Sequence, residues 1–166
     1  MVHIYCGNGK GKTTAALGLA IRMAGTGGSV HLYQFMKGNP SSELESLEKL
    51  GIKVRRLSEN YGFSSGMTDE VRKKVTEEHN AMLDECIKDE CDLMILDEIF
   101  SAVNKGLADK EKALSVMYLL SHFRDIVLTG REPMQEFLDG ADYITEMQCV
   151  RHPFEKGIKA RKGIEY

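Results

Sequence analysis

The amino-acid sequence predicts an α/β fold in which helices cover the faces of a parallel β-sheet. Six short apolar runs recur along the chain, and segments with helical periodicity separate them. This alternation of strand-like and helix-like segments is typical of a parallel sheet with helices on its faces. The apolar runs lie near residues 2–6, 30–36, 52–57, 93–97, 126–129 and 142–148.

The first apolar run leads directly into a glycine-rich loop. Residues 7–14 read Gly-Asn-Gly-Lys-Gly-Lys-Thr-Thr, and a helical apolar segment follows them. Such a loop turns backbone N–H groups onto a phosphate chain at a helix N-terminus, where Lys12 and the Thr13 hydroxyl reach the phosphates and Mg²⁺. The usual P-loop has a glycine where Cys6 stands here, so the loop is a variant. The segment predicts binding of a nucleoside triphosphate; a structural glycine turn is the alternative.

A short helix is expected at residues 43–50, after the second apolar run. Ser42 and Glu45 match a capping box, and Gly51 marks the end of the helix. The third strand then begins at Ile52.

A long helix is predicted from Thr68 to about Asp89. His79 lies near its apolar face, and no His or Cys has the spacing of a second metal ligand, so we interpret it as a buried, hydrogen-bonded histidine. The apolar face, which we assign to the core, consists of Val71, Val75, Met82, Leu83, Cys86 and Ile87.

The fourth apolar run ends in two carboxylates, Asp97 and Glu98. In a parallel sheet the carboxyl end of this strand lies at the same edge as the loop, beside the Mg²⁺ expected on Thr13. We therefore predict that Asp97 or Glu98 holds Mg²⁺, directly or through water. A helix cap is the alternative interpretation of this pair.

The fifth run breaks at Gly130 and presents Arg131 at the same sheet edge. An arginine offers five fixed donors that suit a triphosphate, so Arg131 is a candidate phosphate clamp; a solvated surface arginine is the alternative. Lys37, after the second run, is a weaker candidate for the same reason.

Composition limits the classes of protein. At 166 residues, with no linker or repeat, the chain is expected to form one domain. A net charge of −3 argues against nucleic-acid binding, and the basic cluster at residues 156–162 suits a small anionic ligand instead. No signal peptide and no apolar stretch near the ~18 residues of a membrane span are seen, so we expect a cytoplasmic protein. The cysteines, predicted to be buried free thiols, are Cys6, Cys86, Cys91 and Cys149.

Several segments together resemble the P-loop family of ATP:corrinoid adenosyltransferases. The resemblance spans nearly the whole chain, and the shortened glycine loop looks like the form of the loop in that family. It implies one P-loop domain at residues 1–166, with a RecA-like, doubly wound parallel sheet of about six strands. The segments are 7–14, 34–38, 96–98, 129–131, 157–160 and 163–166.

The resemblance implies transfer of the 5′-deoxyadenosyl group of ATP to the Co(I) of a reduced corrinoid, with release of triphosphate. Co(I) is itself the nucleophile, so the protein must position C5′ and stabilise the leaving group, and no catalytic base is needed. Lys12 and Arg131 are the expected catalytic residues. Mg²⁺ is assigned to Thr13, Asp97 and Glu98. The residues assigned to ATP are Gly7, Asn8, Gly9, Lys10, Gly11, Lys12, Thr13, Thr14, Arg22 and Arg131.

The corrinoid half of the expected site departs from the family pattern. Relatives place aromatic residues against the corrin in a Gly-Phe-x-Trp stretch, and this chain keeps Phe63 but has Ser65 at the Trp position. Longer relatives also carry a segment ahead of the first strand that helps to cover the corrinoid, whereas six residues precede Gly7 here. We expect Phe63, or a substitute such as Tyr61, to shield the lower face of cobalt.

The resemblance also implies a homodimer and an external electron donor such as a flavoprotein reductase. Two other functions stay open at this stage. One is a small P-loop kinase or ATPase, which would use Lys12, Thr13 and Asp97 but form ADP. The other is a non-catalytic carrier of ATP or corrinoid, which the serine at position 65 and the short N-terminus suggest.

Overall fold

The computed structural model describes residues 1–164, so Glu165 and Tyr166, which end the tail motif, lie outside the described residues. Six strands form one sheet in the order β3-β2-β4-β5-β1-β6, and every neighbouring pair is parallel. The predicted parallel α/β sheet of about six strands is confirmed. The strands are β1 (Val2–Cys6), β2 (Val30–Gln34), β3 (Lys53–Arg56), β4 (Leu93–Asp97), β5 (Asp125–Thr129) and β6 (Tyr143–Glu146).

Helices cover both faces of this sheet, as in a doubly wound P-loop fold. Short 3-10 turns lie at Ser64–Gly66 and Pro153–Lys156. The α-helices are α1 (Lys12–Gly25), α2 (Glu43–Lys49), α3 (Asp69–Lys88), α4 (Ile99–Asn104), α5 (Lys110–Leu120) and α6 (Gln135–Asp139).

The two faces of the sheet bury separate clusters of side chains. Successive residues of a strand point to opposite faces, so buried strands are apolar on both. On one face, α1 packs through Ala16 and Ala20 against Leu32 and Ile95. The helices α3, α4, α5 and α6 cover the other face, where the cluster includes Phe35, Met82, Leu96, Phe100, Met117, Leu128 and Phe137.

The long helix α3 starts where its sequence predicts, but its buried face is narrower than predicted, because Ile87 is exposed and Val71 is only partly buried. The Thr68 hydroxyl accepts a hydrogen bond from the Val71 amide, which caps the helix. His79 is buried and bridges two segments: its Nδ1 lies 2.8 Å from the Leu107 carbonyl oxygen, and its Nε2 accepts from the Met36 amide at 3.0 Å. The interpretation of His79 as a buried, hydrogen-bonded histidine is confirmed.

Some predicted boundaries are wrong. The second strand ends at Gln34 and not near residue 36, because Met36 has a left-handed backbone with φ of 61°. The predicted capping box at Ser42 is also wrong, since Ser42 has helical backbone angles and makes no side-chain cap hydrogen bond to α2. Instead, the Ser41 hydroxyl bonds to the Glu43 carboxylate.

Two predictions from composition have different outcomes. All four cysteines are free, as predicted, but only Cys6 and Cys86 are buried, while Cys91 and Cys149 are partly exposed. Among residues 1–164, none of the helices is both long and apolar enough to cross a membrane.

The environment of His79 predicts a pH-dependent stability. Burial lowers the pKa of His79 below its usual 6.5, although the Leu107 carbonyl and Glu78 oppose this shift. The unfolded chain therefore binds a proton that the folded chain rejects, and the free energy of unfolding should fall as the pH drops below about 6.5. At about pH 5.5 the loss should reach at most about 1.4 kcal/mol.

Urea unfolding at about pH 7.5 and about pH 5.5 measures this effect, with His79→Gln as the reference that cannot titrate. The wild-type protein should lose more stability than His79→Gln between the two pH values. An equal loss in both proteins would contradict the assignment to His79.

Candidate functional site

The glycine-rich loop joins β1 to α1 and is tied to two neighbouring strand ends. The Gly7 amide donates to the Arg131 carbonyl at 2.9 Å, and the Gly9 amide donates to the Met147 carbonyl at 2.7 Å. Gly7 and Gly11 have φ of 96° and 115°, which glycine adopts without strain. The loop is therefore held between the segments that follow β5 and β6.

The free donors of this region lie at the start of α1. Gly11 is the N-cap of the helix in a left-handed conformation, and its carbonyl accepts from the Ala15 amide at 2.8 Å. The amides of Lys12, Thr13 and Thr14 precede that first bond, so helix geometry gives them no intrahelical partner. Together with the helix dipole, they form a place for an anion.

The Lys12 side chain folds back over the loop. Its Nζ donates to the Gly9 carbonyl at 2.7 Å, and the residue is buried. Burial lowers the pKa of Lys12. The charge of Glu98 opposes this lowering, and the charge of Arg131 adds to it. The charges of Glu98 and Arg131 therefore both act on Lys12.

Asp97 is the centre of the hydrogen-bond network at this edge of the sheet. Its carboxylate is fully buried, and Oδ1 accepts from the hydroxyls of Thr13 at 2.8 Å and Thr129 at 2.7 Å. Its Oδ2 accepts from the Lys37 ammonium at 2.7 Å and the Gln34 amide at 3.2 Å. These four donors come from the ends of β2 and β5, the start of α1 and the loop after β2.

The sheet register explains this convergence. Gln34 is paired with Asp97 across β2 and β4, and Leu96 is paired with Leu128, which places Thr129 beside Asp97. Paired residues in a parallel sheet point to the same face. The last row of β5, β4 and β2 is therefore polar on the face that α1 covers.

Glu98 has a different role from Asp97 in this network. Its backbone is left-handed, with φ of 62°, and it is the N-cap residue of α4. Its amide donates to the Thr129 hydroxyl at 2.9 Å, and its carboxylate accepts from the Ser101 hydroxyl at 2.5 Å. The turn directs Glu98 away from the strand axis while its charge still acts on Lys12.

The donor set fits Mg²⁺ bound together with a polyphosphate. The Thr13 hydroxyl donates its proton to Asp97, which leaves its oxygen lone pairs available to a cation. Among residues 1–164 no group of three His, Cys, Asp or Glu could hold a metal by itself. Mg²⁺ takes one or two protein ligands and completes its shell with phosphate oxygens and water, so the Thr13 hydroxyl beside a carboxylate is a suitable donor set.

Arg131 and Arg22 lie at different distances from the loop. Arg131 follows the end of β5 and is exposed; its carbonyl accepts from Gly7, and its charge acts on Lys12. Arg22 lies in the last turn of α1, ten residues after Lys12, so the two are about 15 Å apart along the helix axis. The described chain therefore brings Arg131 to the loop and does not bring Arg22 there.

The sequence profile of the family described as "ATP:corrinoid adenosyltransferase BtuR/CobO/CobP" matches residues 1–166. The chain belongs to this family.

Curated relatives of the same family match along their length. The corrinoid adenosyltransferase CobA of Salmonella typhimurium is 31% identical over 176 residues, covering 100% of this chain and 85% of that protein. The corrinoid adenosyltransferase of Escherichia coli K12 is 30% identical over 170 residues, with the same coverage. That of Sinorhizobium sp is 32% identical over 171 residues and covers 100% of this chain and 80% of the relative.

The residues expected to face the second substrate of the family are open. Phe63 is 90% exposed and lies just before the 3-10 turn Ser64–Gly66, and Ser65 in that turn is also exposed. Tyr61 is partly buried, because its hydroxyl bonds to Glu78 on α3. Of the two aromatic candidates in this segment, Phe63 is the one with a free face.

Sequence reasoning missed four contacts of the site. Thr129 lies in a segment that the sequence singled out for Arg131, and Gln34 ends a strand whose register was unknown. Lys37, a candidate phosphate ligand, contacts Asp97. The Met147 carbonyl, which holds the loop, has no side-chain signature at all. The polar ends of apolar strands are the signal that could have found Thr129 and Gln34.

The packing of Gly9 predicts a loss of nucleotide binding in Gly9→Ala. A Cβ there would lie 2.7 Å from the Met147 carbonyl oxygen and 2.8 Å from Gln148 backbone atoms, so the loop must shift. Titration calorimetry with Mg²⁺ and ATP should show affinity reduced by at least about tenfold, a loss of about 1.4 kcal/mol.

Gly18→Ala is the matched control. Gly18 is exposed on α1, and a Cβ there would have no neighbour within 4 Å. This change should keep ATP affinity and raise stability by about 0.5–1 kcal/mol, because alanine favours helix more than glycine does. If Gly9→Ala binds ATP with the affinity of the wild-type protein, the prediction is wrong and the loop can shift without loss of binding.

Proposed function

We propose that this protein transfers the 5′-deoxyadenosyl group of ATP to the Co(I) of a reduced corrinoid and releases triphosphate. The observation that carries the proposal is the contact between Thr13 and Asp97 beside the glycine-rich loop, in a chain that belongs to this family. Residues 1–166 would act as one adenosyltransferase domain, in synthesis or salvage of adenosylated corrinoids.

In this reaction Co(I) attacks C5′ with its own electron pair, a Co–C bond forms, and the bond from C5′ to the triphosphate oxygen breaks. The negative charge grows on the leaving triphosphate. The amides at the start of α1, the Lys12 ammonium and the Arg131 guanidinium are suited to stabilise that charge. No proton has to be removed from the nucleophile.

The state of Asp97 agrees with a reaction that needs no base. Both carboxylate oxygens already accept two hydrogen bonds each within the protein. A carboxylate held in this way is a structural acceptor or a metal partner, and it is poorly placed to take a proton from a substrate. This feature is compatible with transfer to a nucleophile that carries no proton, and the product of the assay below separates alkyl transfer from phosphoryl transfer.

Bound Mg²⁺ would neutralise part of the triphosphate charge. We propose that Thr13 holds it directly and that Asp97 and Glu98 act on it through water. The remaining loop residues assigned to ATP, from Gly7 to Thr14, would surround the phosphates, with Gly7 and Gly9 acting through their small size. Arg22 stays a proposed ATP residue that would require a nucleotide reaching along α1.

The second substrate would approach the exposed side of Phe63. We also propose a cytoplasmic homodimer that receives electrons from a separate donor such as a flavoprotein reductase, since reduction of cobalt requires a redox group.

An anaerobic assay with ATP, Mg²⁺ and chemically reduced cobalamin tests the proposal. The expected products are adenosylcobalamin, followed by its absorption spectrum, and triphosphate, identified by ion chromatography. Formation of ADP would assign the protein to phosphoryl transfer. Binding of ATP with no product of either kind would assign it to the carriers.

Lys12→Ala should lower kcat by about 10²–10³-fold, the cost typical of removing one donor to a developing charge. Lys49→Ala is the matched control, because Lys49 is an exposed lysine on α2 that pairs with Glu45. The control should keep full activity. Equal activity in Lys12→Ala and the wild-type protein would remove Lys12 from the mechanism.

A further inference from the structure

The ion pair between Lys37 and Asp97 joins a partly exposed side chain to a buried one. The distance from Nζ to Oδ2 is 2.7 Å, with the Lys37 side chain 29% exposed and the Asp97 side chain fully buried. A buried carboxylate is costly without a compensating charge. The other nearby ammonium group, that of Lys12, donates to the Gly9 carbonyl, and the charges of Lys12 and Asp97 also act on each other.

The Lys37 ammonium contacts the same carboxylate that the expected metal would approach. Asp97 contacts the Thr13 hydroxyl through Oδ1 and the Lys37 ammonium through Oδ2. A divalent cation bound near Thr13 would therefore meet an ammonium group already on the same carboxylate. Two cations beside one carboxylate repel each other, so the stronger one displaces the other unless further anions arrive.

The backbone that carries Lys37 is fixed. The Lys37 carbonyl accepts from the Leu57 amide at 3.2 Å, and the preceding Met36 amide donates to His79. A Cβ on Gly38 would lie 1.9 Å from the Glu59 carbonyl oxygen, so the chain runs directly against its neighbour. Lys37 can therefore change partner only by rotating its long side chain, which its partial exposure allows.

We infer that Lys37 takes the place of the divalent cation on Asp97 when no nucleotide is bound, and that it moves to the phosphates when Mg²⁺ and ATP enter. The inference rests on the proposed Mg²⁺ and ATP site. It makes Lys37 a positioning residue: it holds the Asp97 carboxylate in place beforehand, and afterwards supplies a donor to the triphosphate.

The exchange has a measurable consequence without nucleotide. In the wild-type protein a divalent cation must compete with an ammonium group for Asp97. Removing the Lys37 ammonium should tighten binding of the divalent cation, because the cation then no longer has to displace a competitor from Asp97. The gain in cation affinity measures the coupling free energy between the two. The same removal should weaken the binding of ATP with Mg²⁺, since a phosphate contact is lost.

Binding of Mn²⁺, used as a spectroscopic substitute for Mg²⁺, tests this inference. Electron paramagnetic resonance of free Mn²⁺ gives its Kd for the full chain without ATP. Lys37→Met should bind Mn²⁺ at least about tenfold more tightly than the wild-type protein, within the usual range of coupling between sites. Lys37→Arg, which keeps the charge, should stay close to the wild type, and so should Lys49→Met on the surface of α2.

Equal or weaker Mn²⁺ binding by Lys37→Met would overturn the inference, as would the absence of measurable binding by both proteins. The double variant Lys37→Met with Asp97→Asn should not show the tighter Mn²⁺ binding of Lys37→Met. This result would locate the competition at Asp97. These measurements need no corrinoid, so failure of adenosyl transfer leaves them unaffected, and their failure leaves the transfer assay unaffected.

A measurement on the wild-type protein covers the case in which Lys37→Met does not fold. Acetylation with acetic anhydride, followed by peptide mass spectrometry, reports on each lysine amine. Saturating Mg²⁺ without ATP should increase acetylation of Lys37 and leave that of Lys49 unchanged. An unchanged rate at Lys37 would show that the cation does not displace it.

Discussion

The whole carboxyl edge of the sheet is organised by one buried charge, that of Asp97. A carboxylate removed from water needs donors for both oxygens, and the protein supplies four of them from four different segments. Each donor fixes the segment that carries it. The ends of β2 and β5, the loop after β2 and the start of α1 are therefore held in one geometry before any ligand arrives.

The glycine-rich loop is constrained by a different interaction. Its neighbours are backbone carbonyls, from Arg131 and Met147, and they lie so close that a Cβ on Gly7 would be 2.4 Å from the Met147 carbonyl oxygen. The absence of a side chain on these glycines thus lets the loop pack against the neighbouring backbone. It also leaves the loop accessible to a phosphate. Two loop amides are used inside the protein, and the first turn of α1 provides the donors for an anion.

The two parts of the proposed site are held in the protein in different ways. The glycine-rich loop and Thr13 are held by hydrogen bonds to neighbouring strand ends, whereas Phe63 lies on an exposed segment. That segment is attached to α3 by contacts from Tyr61 to Glu78 and from Glu59 to Lys74. An aromatic ring exposed on an anchored loop is suited to a large flat ligand that brings its own apolar face.

The sequence by itself determined the fold class, the loop and most of the residues around it. Apolar runs of strand length and helical periods are local properties, and the loop residues from Gly7 to Thr14 are contiguous, so both can be recognised from the sequence alone. The same holds for Asp97 and Arg131, which end apolar strands. Their membership in one site also followed, because the carboxyl ends of parallel strands share an edge.

Only the tertiary structure decided which side chains touch. Strand register places Gln34 and Thr129 on either side of Asp97, and register depends on packing between distant parts of the chain. The Lys37 contact needed the left-handed turn at Met36, which has no glycine to mark it. The support of the loop by the Met147 carbonyl comes from backbone atoms that every residue has. Such contacts leave no signature in the residue types, and they become visible only when the chain is folded.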